Sequence, residues 1–246
     1  MEDAAMQEAE FAQHAALEDH HWWFRARREI LYNCFIAGRR PSSLLEIGCG
    51  SGGNVAWLSR FIPETTGIDI APAAVAFARQ RPEGKYLLGD FRTCPDLTWE
   101  RYDLILLADV LEHIPDDRAF VEELVARMRP GACLVATVPA LTQLWSHHDV
   151  VLGHQRRYTR EQLGRLFADL PLTTLRLSYF NTLLFPLIAL HRLLFGHGQG
   201  ESSDLTSHGP WANALLTRIF LLEKYWLQHW NLPMGVSCVH VAQKRG

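Results

Sequence analysis

The chain has 246 residues, 48% of them hydrophobic and 21% charged, with a formal net charge of -3. These are the proportions of a folded globular protein, and so small a net charge gives no global electrostatic case for a nucleic-acid partner. The five cysteines (Cys34, Cys49, Cys94, Cys133 and Cys238) lack C-x-x-C spacing, which favours free thiols over a disulfide scaffold or a zinc site. With an acidic start and no apolar run near the about 20 residues that span a bilayer, the expected location is cytoplasmic.

Residues 4–37 are predicted helical. Within them His20-His21-Trp22-Trp23-Phe24-Arg25-Ala26-Arg27-Arg28 brings three aromatics to three arginines. One reading is an amphipathic helix that covers the core with its arginines solvated. The other is a lid over a ligand, with an arginine near a carboxylate and an aromatic near a cation. Gly38, Arg39, Arg40 and Pro41 end the segment.

An alternation of strands and helices follows. Strands are predicted over Ser43–Ile47, Thr65–Ile70, Lys85–Leu88, Tyr102–Ala108, Ala132–Val138 and Leu172–Tyr179. Helices are predicted over Asn54–Phe61, Pro72–Gln80, Asp116–Met128 and Thr159–Phe167, the last opened by a Thr159/Gln162 capping box. Such alternation means right-handed crossovers and an α/β doubly wound, mostly parallel sheet.

After residue 180 the rhythm breaks. Phe180–Phe195 is a leucine-rich helix, Gly196–Pro210 a polar loop, and Trp211–Trp230 a helix. Trp211, Leu215, Ile219, Leu222, Trp226 and Trp230 share one face of that helix, widened by Leu216, Phe220 and Leu227. Val236–Ala242 is the last strand. The expected organisation is therefore a helical cap (1–41), a Rossmann-like core (42–179), a helical insertion (180–235) and a closing strand (236–246). The insertion's apolar face suits packing on the core, a pocket roof, an interfacial membrane contact within 180–230, or a dimer interface.

The ligand-binding signal is Glu46-Ile47-Gly48-Cys49-Gly50-Ser51-Gly52-Gly53. An apolar strand ends in an acid and breaks into glycines before a helix, as where a ligand approaches the main chain more closely than a Cβ allows. Gly48, Gly50 and Gly53 satisfy the dinucleotide pattern G-x-G-x-x-G, which points to a nicotinamide cofactor. The same residues, with Glu46 before and Gly52 behind, resemble motif I of the class I S-adenosylmethionine-dependent methyltransferases. Asp69, followed by Ile70, ends the second strand where an acid meets ribose hydroxyls in either case. An N-cap role for Asp69 is the plainer alternative.

Two further motifs carry the resemblance. Gly89-Asp90-Phe91 is similar to the adenine-binding segment of that class, which implies an acid for the adenine amino group and a main-chain N–H and ring from Phe91 for the base. Ala108-Asp109-Val110-Leu111-Glu112-His113-Ile114-Pro115 resembles the segment after strand four in the type 11 group, which includes ubiquinone- and menaquinone-biosynthesis methyltransferases. It implies that Ala108 and Asp109 lie beside the methionine part of the cofactor. The resemblance covers residues 43–140. It implies a seven-stranded sheet with an antiparallel last strand, S-adenosylmethionine as cofactor, and methyl transfer as the reaction. Cofactor contacts are expected at Glu46, Gly48, Cys49, Gly50, Gly52, Asp69, Ile70, Asp90, Phe91, Ala108 and Asp109.

A hydroxyl acceptor needs a base, and histidine suits neutral pH. His113 stands next to the expected methyl site, and His148 and His154 lie in the loop after strand five. These three are the candidate catalytic residues. No sequence-local spacing supports a metal site, although Glu112, His113, His148, Asp149 and His154 are all possible ligands. Arg156 and Arg157 are candidates to hold an acidic group of the acceptor. The aromatic insertion favours a small lipophilic or lipid-linked acceptor methylated on oxygen or carbon. A nicotinamide-dependent oxidoreductase and a non-catalytic S-adenosylmethionine-binding protein are the alternatives; Gly89-Asp90 and Asp109–His113 argue against the first.

Overall fold

The computed structural model describes residue 12, residues 15–195 and residues 209–246, leaving aside the side chains of 193–195. The predicted helical stretch before residue 15, residue 12 apart, and most of the Gly196–Pro210 loop therefore lie outside the described residues. Among these residues a seven-stranded sheet has the order β3-β2-β1-β4-β5-β7-β6. Its strands are β1 (Ser43–Ile47), β2 (Glu64–Asp69), β3 (Lys85–Leu88), β4 (Leu104–Ala108), β5 (Cys133–Pro139), β6 (Leu172–Phe180) and β7 (Ser237–Lys244). The first five pair in parallel, and β7 runs antiparallel between β5 and β6. Chain order reverses between β1 and β4, so the carboxyl ends of these two strands flank the switch point where α/β sheets place their ligands.

Both faces of the sheet are covered, which is why the central strands β4 and β5 are almost wholly apolar. On one face Leu45, Ile47, Ile105, Leu107, Leu134 and Ala136 pack against α4 (Asp117–Arg127) and α6 (Arg160–Leu166). On the other, Leu44, Leu104, Leu106 and Val135 meet α1 (Trp22–Ile30), α2 (Gly53–Leu58), α8 (Pro210–Leu221) and α9 (Lys224–Leu227). α3 (Pro72–Ala78) follows β2, and α5 (His147–Val151) and α7 (Phe185–Phe195) follow β5 and β6.

The amino-terminal helix and the insertion, far apart in sequence, pack together. The Trp23 ring stacks on Phe220 at 5.5 Å between centroids and on Phe180 at 6.3 Å. Asn213 accepts a hydrogen bond from the Trp22 amide at 2.6 Å and donates to the His20 carbonyl at 2.6 Å. Arg192 of α7 donates to the Leu144 carbonyl at 2.8 Å, which ties the insertion to the loop after β5.

Three sequence expectations shift. The helix predicted from Phe180 begins at Phe185, because Phe180 still pairs with Ser237 in the sheet. The helix predicted over Trp211–Trp230 breaks between α8 and α9, where the buried Glu223 carboxylate turns inward to accept from the Leu183 amide at 2.7 Å. The stripe Trp211, Leu215, Leu222, Trp226 and Trp230 faces solvent, and the buried face carries Thr217, Phe220, Glu223 and Leu227 instead.

Candidate functional site

The turn after β1 is shaped by its glycines. Gly52 caps α2 at φ +82°, and a Cβ there would stand 2.6 Å from the Tyr86 ring, so two constraints exclude a side chain. Gly50, at φ +52°, differs: a Cβ there would meet nothing within 4 Å. Its left-handed backbone and open side form a cradle where a ligand can lie against main chain. Gly48 packs under Val110, and Cys49 is buried beneath the turn with its thiol pushed up by burial.

Asp69 ends β2 beside this cradle. One carboxylate oxygen accepts from the Gly50 amide at 2.9 Å and the other from the Ala71 amide at 2.9 Å. The acid therefore fixes the glycine turn and the bend that leads into α3, whose N-cap is Ala71 and not Asp69, and it keeps lone pairs for a ligand hydroxyl. The next residue, Ile70, is 74% exposed and leaves an apolar shelf next to a half-buried acid.

Asp90 is held by Arg92 through side-chain hydrogen bonds at 2.5 and 2.9 Å, and these hold its carboxyl below the usual range. Phe91 departs from expectation. Its ring is buried, 5.0 Å from Phe120 and 6.0 Å from Trp99, so it belongs to the core under the sheet. What Phe91 can offer a base is main chain, not its ring.

At the end of β4 Ala108 is half-buried, and Asp109 adopts φ +59°, a conformation uncommon outside glycine and associated with functional sites. Its carboxylate accepts from Thr137 Oγ1 at 3.0 Å and pairs with Arg27 of α1. Arg27 is itself buried and lies over the rings of Trp23 and Phe24. Arg28 donates to the Gly53 carbonyl at 2.9 Å. Of the two readings of this arginine-rich segment, solvated arginines do not hold for Arg27 and Arg28: both guanidinium groups turn toward the strand ends. Glu46 is fully buried, donated to by Asn54 at 2.6 Å, and burial pushes its carboxyl up to about 8.

The second cluster is assembled by the loop after β5. This loop folds back through an Ala140–Tyr158 bridge and a hydrogen bond from the Gln155 amide to the Glu112 carbonyl at 2.7 Å. The Tyr158 hydroxyl donates to Asp117 at 2.7 Å. His154 is thereby set against His113, with ring centroids 4.8 Å apart. One ligand atom from each of Glu112, His113 and His154 lies within 4.8 Å of the others. His154 Nδ1 is 2.8 Å from Asp149 Oδ1, which also accepts from Arg157 Nε at 2.8 Å. Burial alone would raise the Asp149 carboxyl, but the His154 hydrogen bond and the Arg157 guanidinium hold it well below the usual carboxylate range. Burial and the neighbouring His154 lower His113 to about 4, so its ring is neutral at physiological pH. Burial, reinforced by Asp109, pushes the Glu112 carboxyl well above its ordinary value.

Of the three candidate histidines, the structure brings His113 and His154 together. His148 sits on α5, one residue before Asp149 and outside the converging set. Arg157 is not placed to hold an acceptor: it is buried and bonded to Asp149 and the Ala140 carbonyl. Arg156 pairs with Asp117 at 2.9 Å. A network over the glycine turn carried no sequence signal. Glu18 accepts from Ser51 at 2.7 Å and pairs with Arg81, which donates to the Ser51 carbonyl at 2.8 Å. The capping box Ser146–Asp149 was such a signal for α5.

Known proteins share this frame. A family model described as a methyltransferase domain matches residues 14–177. A probable S-adenosylmethionine-dependent methyltransferase of Mycolicibacterium smegmatis is 26% identical over 82% of this chain and 79% of its own length. A ubiquinone biosynthesis O-methyltransferase of Nitrobacter winogradskyi is 34% identical over 43% of this chain; the match spans 40% of that relative's length. Among solved structures, the N-methyltransferase NodS from Bradyrhizobium japonicum in complex with S-adenosylhomocysteine superposes with a TM-score of 0.54 at 19% identity, covering 91% of this chain and 88% of that one. The left-handed glycine cradle and the acids at the ends of β2 and β4 fit such a nucleoside cofactor, and with a family model matching most of its length the chain belongs to the class I S-adenosylmethionine-dependent methyltransferases.

Proposed function

We propose that the protein methylates an oxygen or carbon of a small lipophilic acceptor. The observation that carries the reading is the pair of acids flanking the glycine turn, Asp69 at the end of β2 and Asp109 just after β4, with β1 between the two strands. In this reading Asp69 holds the ribose, Ile70 lies against the adenine, and Asp90 with the Phe91 main chain meets the adenine edge. The Gly48–Gly52 main chain, Glu46, Cys49 and Ala108 shape the floor. The amino-acid end of the cofactor is a zwitterion. Arg27 and Asp109, now paired with each other, are the complementary charges for its carboxylate and ammonium. Exchanging one ion pair for two keeps both buried charges compensated.

Bound there, S-adenosylmethionine supplies an electrophilic methyl group on sulfur. The chain's part is to align the acceptor, exclude water and handle the acceptor's proton. The Glu112–His113–His154 cluster is where that proton is handled. Calorimetric titration of the full chain tests the cofactor half of the proposal: S-adenosylhomocysteine is expected to bind and NAD not to. NAD binding without S-adenosylhomocysteine binding overturns it in favour of an oxidoreductase. Transfer of labelled methyl groups into extracted lipids and small aromatic metabolites tests the acceptor half.

The lipophilic acceptor draws support from the insertion. Leu187, Leu190, Trp211, Tyr225, Trp226 and Trp230 are all exposed, Trp211 to 89%. Tryptophan, tyrosine and leucine with nearby Arg218 and Lys224 suit the interfacial zone of a bilayer. No helix among the described residues is long and apolar enough to cross one, so contact would be peripheral. Co-sedimentation with anionic phospholipid vesicles, lost in a Trp211→Ser/Trp230→Ser variant, is the expected result; no sedimentation of the parent protein removes this support.

A further inference from the structure

We infer that Glu112, His113 and His154 form a binding site for a divalent transition-metal ion such as zinc. The first observation is convergence. The turn after β4 and the loop after α5 bring one ligand atom from each of the three side chains to within 4.8 Å of one another. The second is independent of it. Glu112 is completely buried, and no other residue donates a hydrogen bond to either carboxylate oxygen. Leaving a buried carboxylate unpaired is costly, and native structures rarely do so without a compensating group. The two guanidinium groups whose charge reaches Glu112 are committed elsewhere, Arg27 to Asp109 and Arg157 to Asp149. A cation between Glu112 and the imidazoles would satisfy the acid.

The surrounding bonds have the form that metal sites use. His154 is fixed through Nδ1 by Asp149 at 2.8 Å, which leaves Nε2 as the nitrogen available to an ion. Asp149 is locked in turn by Arg157 Nε and by the Ser146 amide at 2.9 Å. A carboxylate that orients a liganding histidine through its other ring nitrogen is the common outer-sphere arrangement of protein metals. Two imidazoles and one carboxylate form a borderline donor set, which suits zinc, iron or manganese better than magnesium or calcium. Bonds of about 2.0–2.2 Å put the ligand atoms of a tetrahedral site roughly 3.5 Å apart, so side-chain shifts of about an ångström close the site. Three protein ligands leave one position open. That position would take an oxygen donor, and its use on an acceptor oxygen rests on the methyl-transfer reading above.

The test uses the full, tag-free chain, stripped with a chelator and titrated with Zn²⁺ against a chromophoric competitor, and with Co²⁺ read by its visible absorption. One ion per chain is expected, with binding abolished in Glu112→Gln and His154→Gln. Asp149→Asn should weaken it by roughly tenfold to a hundredfold, as loss of an outer-sphere partner does. S-Adenosylhomocysteine binding, measured on the same samples, reports folding and the cofactor site. Should Glu112→Gln fail that control, His113→Gln replaces it. Zinc affinity equal in parent and variants, or no stoichiometric ion in the parent, overturns the site while leaving the methyltransferase reading intact. Failure to bind S-adenosylhomocysteine with intact zinc binding does the reverse.

Discussion

Around the glycine turn, the groups that face the cleft come from three short stretches, 46–54, 69–70 and 90–91. Much of what they offer is main chain, held by the left-handed glycines and by Asp69. Around Glu112 the groups come from 109–113 and 146–157, and they are ionisable side chains, several of them buried, that hold one another. The first region gets its shape from backbone conformation and so resists side-chain changes outside its glycines and acids. The second depends on mutual charge compensation, in which loss of one member strands the others.

The largest expected effect follows from that dependence. Asp149→Ala leaves the Arg157 guanidinium buried without its carboxylate and releases His154. Breaking such a buried pair costs about 3–5 kcal/mol, read as a lower urea midpoint at neutral pH with chelator present. A loss below about 1 kcal/mol would place this network with surface ion pairs and erase the contrast between the two regions.

Within the backbone-built region, two glycines separate folding from binding. Gly52→Val meets the left-handed penalty of roughly 1–2 kcal/mol and overpacks against Tyr86 and Ala78 for about 1–3 kcal/mol more, so it should unfold at markedly lower urea. Gly50→Ala meets no clash, costs about 1–2 kcal/mol in stability, and should instead lose S-adenosylhomocysteine binding. Equal cofactor affinity in Gly50→Ala and the parent would show that the open side of the turn faces solvent alone.

How much of each region could be read from the sequence follows the same division. The β1 and β3 limits, the order of elements up to β5 and the placing of acids at the strand ends were legible, because strand, turn and helix start are contiguous. Phe91 was not: an aromatic after a Gly-Asp turn looks the same whether its ring turns to a ligand or, as here, to Phe120. Arg157 read as an acceptor-binding cation and is consumed by Asp149, eight residues away. The convergence of Glu112 and His154 and the Glu18–Ser51–Arg81 network bring together residues far apart in the chain, where periodicity carries no information. The stripe of Trp211, Leu215 and Trp230 was legible as an apolar face, but helical period does not say whether a face is covered. Here the neighbouring face, with Phe220 and Leu227, is the covered one.

A smaller effect tests the acid at the edge of the glycine turn. Asp69→Ala removes the acceptor of two main-chain amides and, in the proposed reading, the group that holds the ribose. S-Adenosylhomocysteine affinity should fall by about 1–3 kcal/mol, the range for a charged hydrogen bond. Asp69→Asn keeps an acceptor for Gly50 and should lose less. If the two variants weaken binding equally, charge on the carboxylate is what the cofactor reads; if neither does, Asp69 serves only to brace the Gly50 and Ala71 amides.

The smallest effect at neutral pH concerns a histidine in neither region. His240 on β7 is fully buried, stacked on Phe167 at 4.5 Å, with Nε2 3.0 Å from Thr174 Oγ1, and burial lowers it to about 4. Its ordinary value is about 6.5. Between those values the unfolded chain binds a proton that the folded chain refuses, so stability is present above about 6.5 and is lost as the pH falls toward 4. Each pH unit in that window removes up to about 1.4 kcal/mol. His240→Gln, which keeps a hydrogen-bonding partner for Thr174, should melt within a few degrees of the parent at pH 7.5. Its melting temperature should then decline less steeply between pH 6.5 and 4. Parallel curves would mean that His240 does not set the acid sensitivity in this window; the Asp149 network cannot supply it there, because its carboxyl is held low and its contribution fades only at still lower pH.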